Sequence, residues 1–451
     1  MNQTMEQRME QSPFRLYMHY LVPSLVGMLL MAINILIDGL FVSHGVGELG
    51  IAGVNIAVPI YSIILSLSLW IGMGGATLTS IAYGKKDRAG AHRAFSHAIW
   101  MSIASTTIVI VLCLLFERPL VYAFGATETI YPYAIDYLHV ILLFGTVFVL
   151  ENILSIFIRN DGNPTLAMIG LIVTSVVNIV LNYIFIFEFG WGVAGAAYAT
   201  VIGAVVGVLV LLTHFLKKGT LRLARPSFDR ALWQSILSIG FPSFVIESTA
   251  AVVMIAFNIA FRTYAGEVGI VAYGVVNYLH TVFLMLFIGI GGALQPIVSY
   301  LHGARAYRSL QTFVTYALRT GVGLGIFIAI LGFTAQQPMI DLFGITDPDV
   351  AAFTKSGIPL FFVGYIFLGV TIVWIQLYQS LEKTKLAVWM TLSRSILLFL
   401  PLVFLLPALF GGTSIWLAFP LAEGLTIVWV AFLLRSPRLR HLTQSTDSPD
   451  A

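Results

Sequence analysis

Charge is scarce in this chain of 451 residues: Asp, Glu, Lys and Arg together make up 10% of it, where soluble domains carry about 25%. That scarcity argues against a solvated catalytic domain. The net charge of +3 provides no basic face of the kind a nucleic-acid-binding module needs. Cysteine is scarcer still, and Cys113 alone permits neither an intramolecular disulfide nor a CxxC metal or redox pair. No HExxH or other metal-ligand spacing occurs, and no nucleophile sits beside a base in a recognisable motif, so an intramembrane enzyme has nothing to stand on. The opening MNQTMEQRMEQS lacks the short apolar core and small-residue cleavage site of a secretory leader, and the first apolar run is expected to remain in place.

What the chain does contain is apolar sequence in long runs. Hydrophobic residues account for 58%, above the roughly 45–50% of soluble domains, and the runs are continuous rather than alternating. In lipid only an internally hydrogen-bonded helix or a closed barrel hides its backbone, and runs of about 18 or more apolar residues read as helices. Twelve spans are predicted at 16–42, 53–83, 94–116, 135–158, 165–187, 193–216, 235–261, 270–301, 313–334, 355–380, 386–407 and 413–434. The expected fold is an all-α polytopic membrane protein. With this numbering of spans, all the Lys and Arg residues except Arg118, Arg262 and Lys355 fall on one side, which by the positive-inside rule is the cytoplasmic side and holds both termini.

The halves repeat. PSLV at 23–26 recurs as PSFV at 242–245, ELGI at 48–51 as EVGI at 267–270, and IGMGGA at 71–76 as IGIGGA at 288–293, at offsets of 219, 219 and 217. Six spans separate equivalent points, so both halves enter the membrane in the same direction. They are expected to form two pseudo-symmetric six-helix bundles, an arrangement that in secondary transporters places a site at the repeat interface. Residues 1–216 form the first bundle, 217–230 a cytoplasmic linker, and 231–451 the second bundle with a short cytoplasmic tail. The linker KKGTLRLARPSFDR reads either as a loop that sets topology or as a binder of anionic lipid headgroups.

Against this apolar background, INILIDGLFVSH at 33–44 stands out because it puts Asp38 inside a span. A carboxylate at mid-membrane costs about 2.5–3.5 kcal/mol even on the mildest insertion scale, so it is expected to point inward and find partners. Asn34 and Asp38 are four residues apart, as are Asn178 and Asn182, and each pair therefore shares a helical face. Carboxamides suit such a site, because their NH2 groups donate to a carboxylate while their oxygens help to coordinate a cation. Glu247 in the seventh span reads as a cation-attracting cavity residue or as a structural acceptor, and Glu151 as an interhelical partner or a cavity residue. Glu423 and Arg394 read as structural, Arg394 being paired with an acidic residue that the sequence does not identify. His19, His44, His92 and His97 fall at span ends and read as interfacial.

GIGGALQPIVSYLHGA (289–304) and SRSILLFLPLVFLLPALFGGTSIWLAFPLAE (393–423) resemble motifs of the multidrug and toxic compound extrusion (MATE) transporters, and RNDGNPTLAMIG (159–170) is similar to their MepA-type branch. The resemblance runs from about Pro23 to Glu423. It implies a secondary exporter of amphipathic, mostly cationic drugs or dyes, coupled to inward movement of protons or sodium ions. No cofactor, no nucleic acid and no enzyme activity are expected, and the chain is expected to work as a monomer in the plasma membrane. The ion site that the resemblance implies falls on Asp38, Asn152, Asn178 and Thr200, with Asn182 where the family has an Asp; Asn34 and Glu247 are expected to line the substrate cavity. A flippase for lipids or lipid-linked glycans is the alternative, but an anionic headgroup favours a cavity rich in Arg or Lys, and only Arg394 lies deep.

Overall fold

The computed structural model describes residues 12–124, 126–216, 221–223, 229–343, 345 and 347–435, with the side chains of 48 and 433–435 excepted. Most of the predicted linker at 217–230, the first 11 residues and the predicted cytoplasmic tail beyond 435 lie outside that set. The first half runs through Pro13–Val46 (α1), Glu48–Gly84 (α2), Arg88–Leu115 (α3), Glu117–Ala123 (α4), Tyr131–Leu143 (α5), Gly145–Asn160 (α6), Pro164–Tyr183 (α7), a π turn at Ile184–Glu188 and Gly192–Leu216 (α8). The second comprises Arg230–Gly303 (α9), Tyr307–Thr334 (α10), Gln336–Leu342 (α11), Pro348–Phe362 (α12), Gly364–Ser380 (α13), Thr384–Leu392 (α14), a π turn at Ser393–Leu397, Phe399–Phe410 (α15), a 3-10 turn at Gly412–Leu417 and Ala418–Arg435 (α16). The described residues contain no strand.

Among the described residues nine helices are long and apolar enough to cross a membrane, and two further spans are each broken into a bent pair, α5 with α6 at 55° and α12 with α13 at 40°. Helix α9 is two spans joined at Gly266, whose φ of 61° and ψ of −149° lie outside any helix. The spans therefore number twelve. Two of the predicted spans, 135–158 and 355–380, are thus each broken by a bend. The second bend lies four residues after Pro359, whose ring removes a backbone donor and crowds the preceding turn.

Helix starts follow local chemistry. Asp87, Asn163, Asp229 and Asp347 each accept a backbone N–H of the following turn, satisfying donors that the first turn leaves open. The internal repeat reappears in the backbone. Positive φ occurs at Gly47 and Gly266, at Lys86 and Arg305, at Gly162 and Glu382, and at Gly190 and Gly411, pairs offset by 219 to 221 residues. The bends at 144 and 363 and the short helices α4 and α11 repeat at 219 as well. Each half thus turns, bends and breaks at the same points as the other.

The chain packs as two compact units, Met1–Phe244 with Pro296–Leu310, and Val245–Gln295 with Gln311–Ala451. The repeat in the sequence and the packing units are different divisions, because both ends of α9 pack with the first unit. There the contact is backbone to backbone: a Cβ on Gly84 would run into the carbonyl oxygen of Tyr300, and one on Gly303 into that of Ile81. Small residues of this kind let helices approach closely where lipid supplies no hydrophobic drive between them. The core of the first unit includes Ile64, Ala76, Phe95, Ala98, Ile153 and Phe157. In the second unit aromatic rings dominate, with Phe261 against Trp416 at 4.4 Å and Phe361 stacked on Phe419 at 4.6 Å.

Candidate functional site

Asp38 lies on α1 in the first unit, and both of its oxygens are held. Asn34 Nδ2, one turn earlier, donates to Asp38 Oδ2 at 3.2 Å, and Asn182 Nδ2 on α7 donates to Asp38 Oδ1 at 2.6 Å. One turn before Asn182, Asn178 Nδ2 donates to Thr200 Oγ1 on α8 at 3.0 Å, and Thr200 in turn donates to the carbonyl of Ala196 at 2.9 Å. The four-residue spacings predicted to put each pair on one face do so, and the two faces meet. Helix α8 is thin at this level. A Cβ on Gly203 would press on the carbonyl of Thr174 and the Cβ of Asn178, so glycine there lets α7 bring its carboxamides to Thr200.

The donors of this network are better satisfied than its acceptors. Asn178 and Asn182 are 1% and 0% exposed, and among the described residues the buried Oδ1 atoms of Asn34, Asn178 and Asn182 have no hydrogen-bond partner. An unpartnered amide oxygen in an apolar interior costs about 1–3 kcal/mol. A carboxylate beside three unfilled carbonyl oxygens is a donor set for a hard cation, a hydronium ion or a water held near a proton.

Asn152, assigned to the same site by resemblance, is half-buried on α6 and its Oδ1 is also without a partner among the described residues. No hydrogen bond joins it to Asp38 there. Its neighbour Glu151 accepts from the Thr174 hydroxyl on α7, and the pair fits against α8 only because residue 207 is glycine. Two residues missed in the sequence complete the surroundings. Tyr137 on α5 approaches Thr200 and the Asp38 carboxyl, and Tyr61 on α2 is within electrostatic reach of Asp38, Glu151 and Tyr137. Tyr61 stacks edge-on to Phe148 at 5.2 Å. A tyrosine in an aromatic-rich span carries no periodic signal that marks it as a site residue.

The second unit contains a different polar cluster. Arg394 Nε and Nη2 both lie 2.6 Å from Glu423 Oε1, and Thr371 Oγ1 donates to Glu423 Oε2 at 2.6 Å. The acidic partner expected for Arg394 is therefore Glu423, and both residues are taken up by each other. Nearby in sequence terms to neither, His280 Nδ1 pairs with the Tyr365 hydroxyl at 3.0 Å. Glu247 belongs to this unit, half-buried on the first part of α9. Of the histidines predicted to be interfacial, His97 is 5% exposed and accepts the Trp233 indole N–H at 2.8 Å.

Twelve helical spans, an internal repeat seen in both sequence and backbone, and a carboxylate buried among carboxamides define a polytopic membrane protein of the repeated-bundle class. The MatE family model matches the chain twice, over residues 23–184 and 242–405, and the chain belongs to that family. It is 24% identical over 436 residues to the multidrug export protein MepA of Staphylococcus haemolyticus (strain JCSC1435), covering 96% of this chain and 95% of that protein. To MepA of Staphylococcus aureus (strain MSSA476) it is 26% identical over 435 residues, covering 94% and 95%. Among solved structures, an outward-facing multidrug resistance MATE family transporter of the MOP superfamily superposes with a TM-score of 0.90 at 22% identity, covering 96% of this chain and 97% of that one. The two family matches start 219 residues apart, the offset at which the turns repeat.

Proposed function

We propose that this protein is a multidrug efflux transporter that exports amphipathic, mostly cationic compounds by antiport against protons or sodium ions. The observation that carries the reading is Asp38, clasped by Asn34 and Asn182 and bordered by carboxamide oxygens without partners. Asp38, Asn178, Asn182, Thr200 and Asn152 serve the coupling ion, while Asn34, one turn from Asp38 on the same helix, serves the drug. Hydrogen bonds to an ionised carboxylate are about twice as strong as those to a neutral one. Neutralising Asp38 with a proton therefore loosens the tie between α1 and α7, and a bound sodium ion competes with the same donors for its oxygens. Helix α1 carries Pro23 within it, lacks one ladder hydrogen bond there and is suited to bending when the tie weakens. Ion and drug must favour different states for one to drive the other.

Export of an anionic lipid-linked headgroup is disfavoured, since Arg394, the cation expected to receive it, is engaged by Glu423. The distribution of basic residues supports a topology with both termini in the cytoplasm. The protein, working as a monomer in the plasma membrane, would then take up its ion from outside. Proteoliposomes loaded with a cationic dye test the reading, with proton and sodium gradients imposed separately. Efflux is expected with at least one gradient and none without either. Gradient-independent dye movement would argue against antiport, and dye-independent lipid scrambling would favour a flippase.

A further inference from the structure

The first unit carries a second feature that ion coupling does not use: a cavity of about 690 Å³ between α3, α6 and α8, closed on one side by residues 221–223. Its volume lies within the roughly 300–1,000 Å³ of small-molecule sites. The deep wall is apolar, formed by Phe95, Ile99, Leu154 and Val208. The mouth is apolar too, and exposed. Trp100, Leu212 and Leu216 are 44%, 43% and 85% accessible on membrane-spanning helices, where such side chains face acyl chains, and Leu223 in the segment 221–223 is 61% accessible. Among the described lining residues Arg222 is the one charged group.

The position of Arg222 is built rather than incidental. Leu221 beside it is 3% exposed and belongs to the core that contains Phe95 and Phe157. The Arg222 backbone N–H donates to His92 Nδ1 on α3 at 3.1 Å. Its side chain is exposed, and among the described residues no carboxylate pairs with it. Lys217, Lys218 and Arg225 are close in sequence. A water-soluble metabolite has no reason to enter through an apolar mouth. A chain with an anionic head has reason both to enter and to stop, since a guanidinium forks onto phosphate oxygens and basic pockets between helices at the cytoplasmic face hold anionic headgroups.

The geometry points to a binding site for an anionic phospholipid of the leaflet on the basic-residue side, with one acyl chain in the α3–α6–α8 cavity and its phosphate on Arg222. The bound lipid would fasten residues 221–223 against α3 and α8. The site rests on the topology in the proposed function but not on drug transport.

Full-length protein exchanged into nanodiscs of equal phosphatidylglycerol and phosphatidylcholine with matched chains, then stripped with mild detergent, tests this by native mass spectrometry. Wild type is expected to retain one phosphatidylglycerol in preference to phosphatidylcholine. Arg222→Gln should lower that preference about fivefold, the factor one cation contributes near an anionic surface. Val208→Trp should lower retention of both lipids by filling the cavity; if that variant is not monodisperse, Leu212→Trp at the exposed mouth takes its place. Glycerol phosphate, a headgroup without chains, should displace nothing. Equal retention of both lipids by wild type, an unchanged preference in Arg222→Gln, unchanged retention in the tryptophan variant, or displacement by glycerol phosphate would each overturn the assignment. Retention is read without transport, so its failure and the failure of the exporter reading are separable.

Discussion

Removing Arg394 from its pair with Glu423 should be among the most destabilising single changes outside the ion site. The Glu423 side chain is 2% exposed and that of Arg394 11%, and the carboxylate's only other hydrogen bond among the described residues comes from Thr371. Arg394→Met leaves a buried carboxylate with one hydroxyl donor, and breaking a buried pair from one side costs about 3–5 kcal/mol. Replacing both partners with apolar residues removes the desolvation penalty along with the attraction, and costs far less. Glu423→Gln should fall between these limits, since its amide oxygen still accepts from Thr371 and the long stem of Arg394 can carry the cation toward the interface. Thermal unfolding of detergent-solubilised protein, followed by the monodisperse fraction on size exclusion, reads the effect. At about 2–4 °C per kcal/mol for a unit of this size, Arg394→Met should lower the midpoint by roughly 6–20 °C. The double variant Arg394→Met with Glu423→Leu should recover most of the loss. Equal midpoints for the single and double variants would show that the two side chains do not stabilise each other.

Three further outcomes are expected, two from the geometry and one from the distribution of basic residues. Asn182→Asp sets a second carboxylate beside Asp38 in place of an amide donor at 2.6 Å; like charges so close oppose each other's ionisation, so the efflux optimum should move toward alkaline pH and sodium stimulation should grow, both effects shrinking when Asp38→Asn is added. Gly47→Ala should lower stability by about 1–3 kcal/mol, because φ of 93° with ψ of −170° is essentially a glycine conformation, and an unchanged midpoint would contradict the α1–α2 turn described above. In a Cys113→Ser background, Gly219→Cys and Ser448→Cys should label from the cytoplasm alone and Asp347→Cys from outside; the opposite labelling at residue 219 would break the topology.

Period and offset are local properties, and what depended on them was legible. The apolar runs predicted the spans, the recurring PSLV and IGMGGA segments predicted the repeat, and the spacing of Asn34 to Asp38 and Asn178 to Asn182 predicted which faces carry the network. Rotational phase between helices is not local. Arg394 and Glu423 are 29 residues apart on different spans, and nothing in either neighbourhood indicates that they meet. Tyr61 and Tyr137 were missed for the same reason, as aromatics in spans already full of them. The break at 144 was illegible because no proline marks it, unlike its counterpart at 363; residue 145 is a glycine that keeps clear of the Ile110 side chain, and one glycine inside a span has too many readings. Asn152 rests on the resemblance alone: its Oδ1 is unpartnered among the described residues, and no hydrogen bond there ties it to Asp38.

In this mechanism Asp38 is the group through which an ion gradient drives export. Asn replaces Asp there with the same shape and no charge, and the unpartnered Oδ1 of Asn34 is available to accept the new amide N–H, so the variant is expected to fold. The decisive measurement is gradient-driven efflux of a cationic dye from proteoliposomes holding equal amounts of wild-type and Asp38→Asn protein. Efflux by the variant should fall to that of protein-free liposomes under both proton and sodium gradients, with the protein still monodisperse after extraction. Near-normal efflux by well-folded Asp38→Asn would contradict the account and leave Asp38 a structural tie between α1 and α7.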